Sequence, residues 1–492
     1  MARVAVVGAG MAGLAVAARL AAAGHRVTVV EQAATYGGKL GVFSRDGFTF
    51  DTGPSLLTLP GVFRSLFADT GAPLEDVLDL VPVDPVCHYR FPDGSVLDMP
   101  HAEQDIDSAL TDAFGAPAAR QWRSVLADAE RLWDLVGEPV LQHPLGGAFD
   151  VVRRAANPRD LMAIAPWRTL RTLGKRRLDD PRLRMLLDRY ATYTGSDPRR
   201  IPALMSVVPF VEQRFGGWYV RGGLRKLADA VFERCVELGV RFRFDTPVHA
   251  VRTEGGVVTG VTLPDGEPLA ADIVVSDVDA AHLYHDLVAD PRARRPRRAL
   301  RRVQPSLSGF VLLLALRGRT PDPRHHRVLF PARYDAEFDS IFGRHPEPVA
   351  DPAIYVCAPP DPAVRPPDGE AWFVLVNAPR HGEGQVDWDR PGLADGYADH
   401  VLRVMADRGL DVRSRVRWRE VRTPADWERD TGSVGGSIYG SSSNGARAAL
   451  LRPANSSPVR GLHLVGGSAH PGGGLPLVTM SAAIVATEIG PA

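Results

Sequence analysis

The sequence predicts an α/β protein built on a parallel sheet. Three observations lead there: an unbroken apolar strand at the N-terminus, a GxGxxG turn directly behind it, and an acid closing a second strand. A further glycine-rich loop near the C-terminus indicates that the cofactor domain is assembled from separated stretches of chain.

Val4-Ala5-Val6-Val7 favours strand without alternating, as a parallel strand buried on both faces does. Gly8-Ala9-Gly10-Met11-Ala12-Gly13 follows, then an Ala/Leu-rich helix to Ala23, a turn at Gly24 and a second strand from Val27 to Val30. In such a unit Gly8 permits the tight turn, Gly10 lets backbone approach a pyrophosphate, and Gly13 lets helix and strand pack closely. The helix N-terminus offers free N–H groups and positive potential to the phosphates. Glu31, 21 residues beyond Gly10, stands where a ribose-hydroxyl acceptor belongs, and its charge disfavours NADP. FAD and NAD both satisfy this unit.

The next residues separate the two. Tyr36-Gly37-Gly38-Lys39-Leu40 and the stretch from Gly47 to Ser55 are glycine-rich excursions where a NAD domain runs straight into helix and strand. Backbone wrapping a longer cofactor accounts for them. Farther on, Arg221-Gly222-Gly223-Leu224 opens a helix to about Leu238, and a strand runs from Val240 to Phe244. Val257 to Leu263, a Pro264-Asp265-Gly266 turn and Ile273 to Val275 read as a β-meander. Residues 110–200 read as helical, whereas 305–430 alternate short strands, such as Gly309 to Leu316 and Trp372 to Val376, with Pro-rich loops. Gly461 to Pro476 reads as a buried strand and a loop with free N–H groups, followed by a last helix from Ser481 to Ile489. A helix N-terminus there suits an electron-rich ring or a ribityl-phosphate chain.

Composition sets the outer limits. At about 100–200 residues per domain, 492 residues form two or three. Hydrophobic content of 45% with 24% charged residues excludes wholesale disorder. Basic and acidic residues number 58 each, so a chain-wide grip on nucleic acid is not expected. Cys87, Cys235 and Cys357 lie far apart with no CxxC, which fits a reduced compartment and gives neither a disulfide framework nor a cysteine-built zinc site. No HxxxH or HxH pattern occurs, no metal is expected, and His325-His326 reads as an exposed loop. The longest apolar run in the middle of the chain, Phe310 to Leu316, is far short of the about 20 residues a spanning helix needs. The expected location is cytoplasmic, soluble or at a membrane surface.

Taken together, the segments resemble the phytoene desaturase family, the bacterial flavin-dependent carotenoid desaturases. The resemblance rests on the turn at 8–13, Gly37-Gly38-Lys39, GFTFDTGPS at 47–55, RGGL at 221–224, ADIVVSDVD at 271–279 and SGFVLLLAL at 308–316. TPADW at 423–427, RPANSSP at 452–458 and HPGGGLP at 470–476 extend it almost end to end. RYATYTGSDP at 189–198, FGGWYVRGGL at 215–224 and GSIYGSSSN at 436–444 are most similar to the 1-hydroxycarotenoid 3,4-desaturases, also called methoxyneurosporene dehydrogenases.

The resemblance implies a Rossmann-like FAD-binding domain from residues 1–70, 220–295 and 435–492, and a mixed α+β substrate-binding domain from 71–109 and 296–434. Residues 110–219 would form a helical, membrane-facing subdomain. It implies FAD contacts at Gly8, Gly10, Gly13, Glu31, Gly38, Lys39, Gly53, Pro54, Ser55, Val248, Gly467, Pro476, Leu477 and Val478, with Val248 holding the adenine edge through its backbone. Lys39 stands where relatives commonly carry Arg, and an ammonium cannot make a bidentate contact. Gly466-Gly467-Ser468 stands where the wider class often carries an acid, so ribityl contacts fall to backbone N–H groups.

The implied activity is desaturation of an acyclic carotenoid, with or without a 1-hydroxyl, by hydride transfer to flavin N5. Phytoene desaturation proper and oxidation of a terminal methyl are the alternatives, with quinone or dioxygen as electron acceptor. Charge left on carbon spreads along the polyene, so no strong base is needed. His470 is the candidate proton acceptor, against the reading of a structural histidine bonded to backbone. Tyr190 and Tyr193 are candidates to line the substrate channel, Ser443 and Asn444 to satisfy a substrate hydroxyl. A water-insoluble polyene also implies a membrane surface. Residues 151–200 carry a net charge of +8, interleaved with Leu161, Met162, Ile164, Trp167, Leu170 and Leu173. Two further classes share the fold motif: amine oxidases, although no paired aromatic cage is evident, and prenyl-binding proteins like the GDP-dissociation inhibitors, without flavin or catalysis.

Overall fold

The computed structural model describes residues 1–144, 167–445, 448 and 452–492. Its first layer is a five-stranded parallel sheet in the spatial order Leu462–Leu464, Ile273–Ser276, Arg3–Val7, Arg26–Val30 and Arg241–Arg243. The central strand is apolar without alternation because helices cover one face and a small antiparallel sheet the other. Helices Met11–Ala22, Arg225–Glu237 and Leu475–Ile489 pack together on the first face. Strands Ala250–Glu254, Val257–Thr262 and Pro268–Ala270 form the antiparallel sheet behind the second.

Two expectations need correction here. Ile273–Ser276 is not part of the meander: it pairs in parallel with both Arg3–Val7 and Leu462–Leu464. Its run Ile-Val-Val is as apolar as the first strand, and burial on both faces is the physical reason. The last helix begins at Leu475, six residues before the expected Ser481, because Gly474 and Pro476 make a compatible helix start.

The second layer is a seven-stranded sheet in the order Val416–Arg422, Ser308–Arg317, Gly369–Ala378, Ile354–Cys357, His326–Leu329, Cys87–Arg90 and Val96–Met99. Ser308–Arg317 and Gly369–Ala378 pair antiparallel along ten residues each, and Leu312, Leu314, Trp372 and Val374 lie in one core. His325-His326 is therefore no exposed loop. His326 opens a buried strand and is 2% exposed. The adjacent strand from Ile354 and the apolar run Val328-Leu329-Phe330 draw the pair inward.

Helices Ile106–Phe114, Ala116–Leu141, Leu170–Arg177, Pro181–Arg189 and Val207–Phe215 cap this sheet. Trp122, Leu183, Leu186, Leu187 and Tyr190 fill the space between them and Tyr89 and Phe330. Leu170 is buried and Leu173 packs against the same core, so neither belongs to an outward apolar face. Leu161, Met162 and Ile164 lie outside the described residues. Trp167 is 67% exposed.

Truncating Leu312 to Ala in the central strand should lower stability by about 2–5 kcal/mol through the cavity it leaves. Denaturation of the flavin-free protein followed by tryptophan fluorescence measures it; a loss below about 1 kcal/mol would contradict the packing described.

Candidate active site

The C-terminal ends of the parallel strands bring three loops to one point. The Gly8 N–H donates to Val30 O at 2.8 Å, so the first loop folds back over the second strand. Ala9 N–H donates to Glu31 Oε2 at 2.6 Å and Ala33 N–H to Glu31 Oε1 at 2.8 Å. Glu31 thus ties the glycine turn to the second strand's end, and each of its oxygens has a lone pair left for a hydroxyl. Gly13 could carry no side chain: a Cβ would stand 2.2 Å from Gly8 O. The Gly37 N–H donates to Ala9 O at 2.8 Å, and a Cβ on Gly38 would meet the Gly10 Cα at 3.2 Å. The second glycine pair is therefore laid on the first.

The Gly47–Ser55 segment closes the other side. A Cβ on Gly53 would fall 1.8 Å from Lys39 O, so backbone lies on backbone there. Asp51 accepts from Leu224 N–H at 2.7 Å and Arg225 N–H at 2.9 Å, joining the RGGL motif to this loop at a helix start. Burial pushes the Asp51 carboxyl up to about 6. Lys39 donates to Ser437 O and Ile438 O at 3.1 and 3.3 Å. Burial draws its ammonium below the usual range, against the pull of Asp279 and Asp277.

The last glycine loop is braced by a motif whose role was not legible in the sequence. Arg452 of RPANSSP donates to Tyr439 O, Gly467 O and Ser441 O at 3.1, 2.7 and 3.0 Å. Burial draws this guanidinium down to about 10. Asn455 donates to Leu464 O, His470 O and Ser481 Oγ, holding strand, loop and helix together. Pro476, Leu477 and Val478 occupy the first turn of the final helix. Val478 N–H bonds to Gly474 O at 2.9 Å, which leaves the Leu475 and Leu477 N–H groups without a partner inside the helix.

Asp277, from ADIVVSDVD, is the residue that sequence reasoning missed. Its Oδ2 accepts from Gly13 N–H at 2.9 Å, and a Cβ on Gly466 would stand 2.4 Å from its Oδ1. One carboxylate thus lies between the first and last glycine loops. Burial, then the charge of Glu31, pushes it up to about 7 against Gly13 N–H and Lys39. The signal available was an acid directly behind a buried apolar strand.

Other expected residues are placed differently. His470 is buried, and its Nε2 lies 3.0 Å from Val140 O and 3.1 Å from His143 O. Two carbonyls make that nitrogen the donor, so it anchors the end of helix Ala116–Leu141 and leaves the basic lone pair of the neutral ring on Nδ1. Tyr190 is fully buried and donates to Glu212 at 2.7 Å; Tyr193 packs on its ring at 5.2 Å. Tyr190 belongs to the core between the helical layer and the seven-stranded sheet. Asn444 accepts from Asp197 N–H at 2.9 Å and donates to Gln304 at 3.2 Å. Ser443 N–H donates to Ser196 Oγ. These contacts stitch GSSSN to the TGSDP turn.

The cradle fits a dinucleotide on its own geometry. Side chains are excluded at Gly10, Gly13 and Gly53, the helix from Met11 has free N–H groups at its start, and the Val248 backbone forms no hydrogen bond among the described residues. Residues 11–490 match the family model for flavin containing amine oxidoreductases. The chain belongs to that family. It is an FAD-dependent oxidoreductase, which sets aside the non-catalytic prenyl-binding alternative. A 4,4'-diapolycopene oxygenase of Methylomonas sp. is 33% identical over 494 residues, covering 99% of this chain and 98% of that protein. A 1-hydroxycarotenoid 3,4-desaturase of Flavobacterium sp. (strain P99-3) is 31% identical over 493 residues, with 98% of each covered. The structure of a putrescine oxidase with putrescine bound superimposes with a TM-score of 0.68 at 16% identity, covering 99% of this chain and 98% of that one, which shows the shared fold.

Asp277 gives this flavoenzyme a pH dependence with a defined sign. Its carboxyl is held above the ordinary carboxylate range, so flavin-free protein should lose stability between about pH 4 and 7 as the acid ionises. Above about pH 7 its charge opposes the phosphates, and FAD should bind more weakly as pH rises. Asp277→Asn should bind FAD about tenfold more tightly than the parent at pH 8.5 and flatten the profile, as followed by quenching of FAD fluorescence; a tenfold change is about 1.4 kcal/mol. A parallel profile in both proteins would contradict the assignment.

Proposed function

We propose that this flavoenzyme desaturates a C–C bond of an acyclic carotenoid, and that a 1-hydroxylated carotenoid is its substrate. The carrying observation is the end-to-end match to relatives named for carotenoid substrates, with the glycine loops meeting around Asp277. FAD supplies a hydride acceptor when bound; the chain supplies position, dryness and electrostatics. Gly8, Gly10, Gly13 and Gly38 let backbone reach the pyrophosphate. Glu31 accepts from a ribose hydroxyl, Val248 reads the adenine edge, and Gly53, Pro54 and Ser55 lie toward the ring. Gly467, Pro476, Leu477 and Val478 offer the last loop and helix N-terminus, with Lys39 as a nearby positive charge. Residues 1–70, 220–295 and 435–492 make up the FAD domain, and 71–109 with 296–434 the substrate domain.

Oxygenation of a terminal methyl is the second reading, because the Methylomonas relative is an oxygenase at closely similar identity. Cells supplied separately with phytoene and with a 1-hydroxylated acyclic carotenoid decide between these. New conjugation only with the hydroxylated compound is the expected result. Conversion of phytoene alone, or product oxygen drawn from labelled dioxygen, would replace the proposal.

Residues 110–219 serve as the face that meets a membrane, and quinone or dioxygen takes the electrons. Among the described residues no helix is long and apolar enough to cross a bilayer. Supporting surface contact are exposed Trp167 beside exposed Arg168, with Lys175 and Arg176 exposed on the next helix. A cleft of about 410 Å³ between Arg120, Gln121, Arg176 and Arg177 shares Arg176 with that surface and suits an anionic headgroup by charge. Trp167→Glu should cut binding to anionic liposomes severalfold in a flotation assay, with FAD content unchanged; equal flotation would remove this face from consideration.

A further inference from the structure

Desaturation sheds a proton as well as a hydride, and His470 has its Nε2 committed to two carbonyls. The motif left without a role is His325-His326. Its buried side chains meet the loop that ends in Ser55. Ser55 Oγ lies 2.7 Å from Tyr355 Oη, and Tyr355 Oη lies 2.7 Å from Nδ1 of His326. Nε2 of His326 and Nε2 of His325 have no hydrogen-bond partner among the described residues. The two rings stand 4.4 Å apart, and one nitrogen of each lies within 4.8 Å of the other and of the Cys357 sulfur. One water spans such a distance. Beyond His325, the Tyr219 ring stands edge-on at 4.7 Å, and its hydroxyl donates to Asp361 at 3.1 Å.

We propose that Ser55, Tyr355 and His326 form a relay that carries the proton released by desaturation from the flavin loop to the His325–Asp361 side of the site. The proposal rests on the desaturase reading above. The C–H bond next to the carbon that gave up hydride to the flavin breaks, and its electron pair becomes the new π bond. Its proton passes to Ser55 Oγ as the Ser55 proton passes to Tyr355 Oη. The Tyr355 proton passes in turn to Nδ1 of His326, which ends as an imidazolium. Burial holds His326 well below the usual imidazole range and His325 at about 4, so both start neutral. A weak base suffices because the carbon framework after hydride loss is a carbocation, a strong acid at the neighbouring C–H. A weak base also hands the proton on and does not trap it.

Tyr355→Phe keeps the ring and breaks the chain. In FAD-loaded full-length protein, anaerobic bleaching of the flavin by liposome-borne carotenoid should slow by about 10–100-fold. FAD content should be unchanged, and the solvent isotope effect of the parent should change. Histidine ¹⁵N spectra of the flavin-free protein give a readout independent of turnover, with the His326 signal assigned by its loss in His326→Gln. The parent should show His326 protonated at Nε2, and Tyr355→Phe should lose that bias. Equal bleaching rates with equal isotope effects would overturn the relay. So would a His326 protonated at Nδ1, or stoichiometric zinc on the two free nitrogens and Cys357. A parent inactive on every acyclic carotenoid would overturn the desaturase reading and with it the relay's proton source, while an Nε2-protonated His326 would still support the hydrogen-bonded chain.

Discussion

The site depends on how closely separate backbones can approach one carboxylate. Asp277 sits where the first glycine turn, the end of a parallel strand and the last glycine loop converge. Gly10, Gly13 and Gly466 cannot gain a Cβ without striking it or the neighbouring backbone. The arrangement places a negative group at a helix start, where phosphates also belong, so occupancy of that point is an electrostatic competition. A cofactor cradle built this way is tuned by protonation as well as by shape.

The same logic explains motifs that touch no ligand. Arg452 and Asn455 spend their donors on carbonyls of the last glycine loop, its flanking strand and the segment of Tyr439 and Ser441. Glycine-rich backbone has few side chains to hold it, so buried carbonyls must find partners from elsewhere. Asp51 does the converse, accepting from the free N–H groups where the Arg225 helix begins. Rigidity at the flavin loops therefore comes from a ring of side chain to backbone bonds supplied by distant segments.

The chemistry asks little of an enzymic base but much of proton traffic. A conjugated chain delocalises the charge, while a dry site offers a proton nowhere to go. The Ser55–Tyr355–His326 line is a polar path that meets the Gly47–Ser55 loop, and the relay proposed above assigns it that task. His470, by contrast, is fixed to the end of a long helix, linking the last glycine loop to the helical layer.

Much of the fold was legible along the chain. The strand–turn–helix–strand from Val4 to Glu31 is local: its apolar run, glycine spacing and closing acid each follow from backbone sterics and burial. The long strands at Ser308–Arg317 and Gly369–Ala378 were equally visible as apolar runs. Family motifs then singled out the glycine loops that the fold brings together at the strand ends. Tertiary structure alone decided which loops touch. Asp277 looked like any acid after a strand until parallel pairing set it beside Gly13. Tyr190 carried the right chemistry for a substrate site until packing buried it and set its hydroxyl on Glu212. His325-His326 carried polar composition but was pulled inside by the strand that follows it. The physical reason is common to all: sequence fixes local geometry and the demand for partners, whereas contacts between residues hundreds of positions apart decide who satisfies that demand.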